Sequence, residues 1–194
     1  MSREPEERCP EIALVGDLTE HEGELTDRLL DVEPGGECLI YFDSPGGSPY
    51  CAMSLMNLIR LRGLQATGIV TGECSSAALW PFAACRRRLV TPCSVMLFHP
   101  MRWQSEENVG LAEAAEWARH FGQLEKDMDA LLADLFGTPR EMMDQWINPG
   151  RYVGGAELAA AGLAEMINFD KPTMLELLQP STNGRAHRSA RVKQ

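Results

Sequence analysis

The sequence predicts an α/β fold with a largely parallel sheet, and three observations predict it. Strand-like and helical patterns alternate from Glu11 to Ile167 at the spacing of right-handed βαβ units. Cys38-Leu-Ile-Tyr-Phe42 is a continuous apolar run, as in a strand buried on both faces of a parallel sheet. Glycine-rich or small-residue turns follow such runs at Asp43-Ser-Pro-Gly-Gly47 and at Gly72-Glu-Cys-Ser-Ser-Ala-Ala78.

Residues 1–10 are polar and read as a disordered N-terminus, ahead of a domain spanning 11–170. Glu11–Gly16 is the first strand, and Asp17-Leu-Thr-Glu20 is a turn that caps a short amphipathic helix, His21–Asp31. Pro34-Gly-Gly36 breaks that helix. Cys38–Phe42 follows as a strand, Tyr50–Arg62 as a helix, and Gly63 closes it. Thr67-Gly-Ile-Val-Thr71 is β-branched and reads as a buried strand stopped by Gly72. Leu79–Ala84 continues as a helix with Pro81 in its first turn. Arg86–Val90 leads through Pro92 to another apolar strand, Ser94–Phe98. A long helix covers about residues 108–136, with Leu124, Met128, Leu131 and Leu135 on its apolar stripe, and Gly137-Thr-Pro139 stops it. Pro139–Trp146 and Gly155–Gly162 are further short helices, and Leu163–Ile167 is a closing strand. The tail, 171–194, carries Arg185, Arg188, Arg191 and Lys193 and reads as a disordered end.

Composition excludes several function classes. A net charge of −10 opposes general nucleic-acid binding, which needs basic surface to displace counterions. No apolar run approaches the ~20 residues that span a bilayer. The N-terminus lacks the apolar core of a secretory signal. Six cysteines show no C-x-x-C pair, so they read as reduced packing groups of a cytoplasmic protein, not as a disulfide frame or metal site. No cofactor motif is present. Tyr41, Phe42, Met53 and Met56 read as core, and Glu106-Glu107 as a solvated loop.

Three features stand at consecutive strand ends: the turn at Gly47, the turn at Ser76, and Met96-Leu-Phe-His-Pro100 with its His99. Successive strands of a parallel sheet end along one edge, where such folds build their sites. A serine becomes a nucleophile when a base within about 2.6–3.2 Å takes its proton. Neutral imidazole is suited to that task and to protonating a leaving amine. Preorganised N–H donors beside side-chain-free turns then hold the oxyanion.

In these three motifs the sequence resembles the ClpP family, the proteolytic subunits of Clp proteases. Asp43-Ser-Pro-Gly-Gly47 resembles the family's (I/N)-S-P-G-G, and Gly72–Ala78 its G-x-A-A-S-M-(A/G). Met96–Pro100 resembles M-I-H-Q-P with one residue missing. The resemblance implies a ClpP/crotonase-type βαβ superhelix in which the 108–136 helix is a projecting handle that interlocks stacked rings. It implies Ser76 as nucleophile, His99 as base, and the N–H groups of Gly47 and Ala77 as oxyanion hole. The implied activity is serine endopeptidase cleavage of peptides or polypeptides by a homo-oligomer, with a Clp ATPase or a ClpP paralogue as a further partner.

The pattern departs from the family at two places. The family's third catalytic residue, an Asp before Arg-(Phe/Tyr), is here Gly150 before Arg151-Tyr152. Asn148 is the nearest group able to accept from His99, and Asp144 is more distant. An Asn would hold the tautomer without supplying charge. About ten residues precede the first strand, and the glycine-rich strand after the His is altered to Met101–Gly110. Both changes speak against the usual ATPase docking and peptide grip. Two further readings stand beside the peptidase: an inactive ring subunit that assembles with an active paralogue, and an acyl-thioester enzyme of the crotonase type. The Ser–His pair weighs against the second.

Overall fold

Each predicted strand and helix has a counterpart in the computed structural model, which describes residues 9–104, 108–167 and 169. The terminal segments expected to be disordered, except residues 9 and 10, lie outside the described residues, as does Glu106-Glu107. In chain order the elements are β1 (Glu11–Asp17), α1 (Leu18–Asp31), β2 (Glu37–Gly46), α2 (Pro49–Leu61), β3 (Gln65–Cys74) and α3 (Leu79–Ala84). They continue with β4 (Arg87–Val90), β5 (Val95–Phe98), α4 (Leu111–Phe136), α5 (Arg140–Ile147), β6 (Arg151–Gly154), α6 (Gly155–Ala160) and β7 (Glu165–Met166). The mixed α/β fold is the one expected.

The parallel sheet runs β1-β2-β3-β4-β7. Its centre is apolar on both faces: Ile40, Phe42 and Val70 are buried on one, Leu39 and Ile69 on the other. α2 and α3 pack on it through Leu55, Ile59 and Phe82, whose ring meets Phe42 edge-on at 5.3 Å. Residues 10–167 form one compact unit.

The sheet divides where β3 outruns β4. Residues Thr67–Val70 pair with β4, whereas Glu73, farther on, pairs with Val95 of β5. Buried Ser94 pins this change of direction. Its hydroxyl donates to the Val70 carbonyl at 2.7 Å and accepts the Thr91 amide at 2.8 Å. β2 and β3 also run longer than expected, because the turn residues still pair: Ser44 lies opposite Cys74 and Asp17 opposite Gly46, across register shifts. Irregular pairing at a strand end re-aims the chain without breaking the sheet.

β6 was not expected. It pairs antiparallel with β5, Phe98 opposite Arg151 and Met96 opposite Val153. Of its four residues only Val153 is buried, so it has no apolar run to reveal it. α4 buries side chains only in its C-terminal turns, at Met128, Leu132, Ala133 and Phe136; farther up, His120 meets Tyr50 at 2.7 Å, and Trp117 and Phe121 pack against Trp103. No residue from Leu111 to Asp127 is buried, and Leu111 is 89% exposed. The first half of the helix is thus largely exposed.

Candidate active site

The turn after β3 is built on two adjacent serines with different fates. Ser75 is buried, and its hydroxyl accepts the Leu97 amide at 3.0 Å, bridging β3 to β5. Its amide donates to the Ser44 carbonyl, also at 3.0 Å. Ser76 follows with φ +54°, in the left-handed region that non-glycine residues seldom occupy, and opens the short helical turn Ser76–Ala78. That conformation turns its side chain out of the ladder. Ser76 lines a cavity of about 170 Å³. A strained strand-to-helix turn that presents a hydroxyl is the arrangement expected of a nucleophile.

Gly46 makes room for this turn. Its φ is +107°, and a Cβ there would lie 2.8 Å from Ser76 Cβ and 2.9 Å from the Ala77 nitrogen. Only glycine combines that backbone with that approach. The Ser44 hydroxyl holds the strand end in place, donating to the Gly16 carbonyl at 2.6 Å and accepting the Gly46 amide at 3.1 Å. Gly47 follows at φ +145°, where a Cβ would lie 2.6 Å from Asp17 Oδ1. Gly47 and Ala77 both line the cavity that holds Ser76.

His99, at the end of β5, lines the same cavity. Three separated stretches of the chain, at Gly47, Ser76–Ala77 and His99, thus reach one space. No hydrogen bond joins the Ser76 hydroxyl to the His99 ring. The ring's partner is local: Nδ1 lies 2.6 Å from the Pro100 carbonyl oxygen. A carbonyl oxygen only accepts, so Nδ1 carries a proton, which in the neutral ring leaves Nε2 its lone pair.

The structure shows no hydrogen bond between Asn148 and His99. Asn148 lines a neighbouring polar cleft with Arg140, Asp144 and Pro100. Asp144 is held by Arg140 at 2.6 Å. Gly150, by contrast, lies against the histidine: a Cβ there would be 3.3 Å from His99 Cβ. The β5–β6 pairing brings it there, but its φ of +124° disfavours any side chain.

Apolar side chains form much of the remaining wall, among them Leu79, Trp80, Phe98, Met101, Leu132 and Ile147. Two tethers hold α4 against it. Trp80 Nε1 donates to the Met128 carbonyl at 2.9 Å, and the Met101 amide donates to Glu125 at 2.7 Å. Two charged residues also line the cavity, Arg102 and Asp129. Sequence reasoning missed Asp129, because an acidic residue beside a helical stripe carries no motif. Its side chain is 14% exposed, and burial pushes its carboxyl up to about 6, with Arg140 pulling the other way. Among the described residues no cluster of His, Cys, Asp or Glu could hold a metal, and no helix is long and apolar enough to cross a membrane.

Comparison with known proteins agrees with this architecture. The chain resembles two curated proteins named ATP-dependent Clp protease proteolytic subunit, from Bacteroides fragilis strains ATCC 25285 and YCH46. Each is 29% identical over 112 residues, which cover 57% of this chain. The matched region spans about half of those relatives, 53% and 50% respectively. A family model described as Clp protease matches residues 20–171, a stretch that contains every strand-end motif described above. The chain belongs to the Clp protease family.

Proposed function

We propose that this chain is a serine-type peptidase subunit that hydrolyses peptide bonds through an acyl-enzyme. The observation that carries the reading is the shared cavity of Ser76, on a strained turn, and His99, with its Nδ1 proton held by a carbonyl. Ser76 Oγ attacks the substrate carbonyl while Nε2 takes its proton. The N–H groups of Gly47 and Ala77 receive the oxyanion, and His99 returns the proton to the departing amine. Water then hydrolyses the ester by the same route. The Pro100 carbonyl fixes the tautomer, as Asn does in Cys-His-Asn sites, but adds no negative charge to stabilise the imidazolium. Removing the triad carboxylate costs about 3 × 10⁴-fold in a well-studied protease, so slow turnover is expected.

The working form in this reading is a homo-oligomer of stacked rings, with the exposed half of α4 covered by a neighbouring subunit. A Clp ATPase feeding peptides or polypeptides to it belongs to the same reading. So does residence in the cytoplasm, which fits the buried thiols of Cys51, Cys74 and Cys85. A fluorophosphonate or β-lactone probe tests the chemistry. Labelling of wild type and none of Ser76→Ala is expected, whereas no labelling together with no peptide cleavage overturns the proposal.

One observation favours a second reading. Gly150 supplies no side chain where the chain passes His99, and its backbone opposes acquiring one. A structural subunit paired with an active paralogue would need none. That reading predicts co-purification with a second, intact subunit, and a homogeneous oligomer that cleaves peptides unaided rules it out.

A further inference from the structure

The cavity beside Ser76 is apolar over much of its wall, yet it contains a carboxylate that neither nucleophile nor base uses. Asp129 projects from α4 one residue after Met128, whose carbonyl is tied to Trp80, so its position is anchored. Its nearest cation is Arg140 of α5, 3.5 Å from Oδ2. That guanidinium is committed elsewhere, to Asp144 at 2.6 Å and to the Lys126 carbonyl at 3.1 Å. Glu125 lies one turn back on α4, engaged by the Met101 amide. Lys126, also on α4, and Arg102, exposed after His99, complete the nearby charges. Asp129 is therefore a largely desolvated carboxylate with only part of a counter-charge.

We propose that Asp129 makes this cavity a recognition pocket for a cationic substrate side chain, lysine or arginine, at the residue lodged beside Ser76. The inference rests on the peptidase reading and names the substrate class of that site. Lysine and arginine have apolar stems with a charged tip, matching apolar walls that hold one carboxylate. A cavity of about 150 Å³ accommodates a benzene molecule, so one of about 170 Å³ has room for a single side chain. A charge-assisted hydrogen bond to a poorly solvated carboxylate is stronger than a neutral one. Arg102 opposes the preference, but it is exposed, and water and salt screen it. Since the Asp129 carboxyl titrates at about 6, the preference belongs to neutral and alkaline pH and fades as the group is protonated.

The test uses the full-length Ser76→Ala chain, so that binding is read without turnover. Short peptides differing only in a C-terminal Arg, Lys, Leu or Glu are titrated by fluorescence anisotropy at pH 8 and pH 5. Arg and Lys peptides are expected to bind about ten- to a hundredfold more tightly than Leu at pH 8, with Glu weakest. At pH 5, and with Asp129→Asn added, that preference collapses; Asp129→Glu, which retains the charge, keeps it. Equal binding of Arg and Leu peptides at pH 8, a preference that survives Asp129→Asn, or no binding of any peptide overturns the inference. Absence of probe labelling in wild type removes the peptidase reading and leaves this binding result intact. Labelling combined with a flat binding profile removes only the inference.

Discussion

Gly46→Ala is the most direct test of how the Ser76 turn is held. The new Cβ would stand 2.8 Å from Ser76 Cβ, 2.9 Å from the Ala77 nitrogen and 2.9 Å from the Ser75 carbonyl oxygen. Two of the three are backbone atoms that cannot rotate aside. Carbon contacts settle at about 3.5–4.0 Å, so the turn must retreat by roughly 0.7 Å or more. Overpacking of this kind costs about 1–3 kcal/mol, and φ +107° adds about 1–3 kcal/mol for a residue with a side chain. Gly35→Ala is the control: its φ is +77°, and a Cβ there meets nothing within 4 Å. It carries the backbone cost alone. Urea unfolding of both variants should show Gly46→Ala less stable than Gly35→Ala by about 1–3 kcal/mol. Displacement of a reacting group by about 1 Å costs on the order of 100-fold, so probe labelling of Ser76 should slow by that order in Gly46→Ala and stay at the wild-type rate in Gly35→Ala. Equal unfolding midpoints together with undiminished labelling would refute the reasoning.

The adjacent serines should separate stability from reactivity. Ser75→Ala strands the half-buried Leu97 amide and is expected to lose about 1 kcal/mol in urea unfolding while retaining probe labelling. Ser76→Ala should do the reverse. Asp129→Asn should change stability with pH in a defined sense. The folded carboxyl titrates at about 6 against an ordinary 3.8, so the native state holds its proton more tightly than the unfolded chain. Wild type therefore loses stability as pH rises through about 6, by at most about 3 kcal/mol. The variant should be relatively more stable at pH 8 and lose that advantage near pH 4; thermal unfolding across pH checks this, and an unchanged difference would contradict it. Trp80→Phe removes the donor to the Met128 carbonyl and should cost about 1–3 kcal/mol in urea unfolding.

Local chemistry made most of the elements legible. The apolar run Cys38–Phe42 can only be satisfied by burial on both faces, and the helical periods of Tyr50–Arg62 and the 108–136 stretch declare their packed sides. Strand-end turns rich in glycine and serine mark a site edge wherever strands run parallel, so Gly47, Ser76, Ala77 and His99 could be grouped without coordinates. Gly46 lay in the same motif, yet nothing local says which of two adjacent glycines a serine thirty residues later will press against.

What the sequence by itself determined is this ordered set of strand ends, because periodicity and turn chemistry act over a few residues. Tertiary structure alone decided what surrounds the histidine and the cavity. Asn148 was the nearest acceptor along the chain, but the space beside His99 went to Gly150 through the β5–β6 pairing, and the ring took its neighbour's carbonyl instead. Asp129 entered the cavity because the last turns of α4 pack against α3. Contacts between residues tens of positions apart are chosen by packing of whole elements, which leaves no periodic trace at the residues that meet.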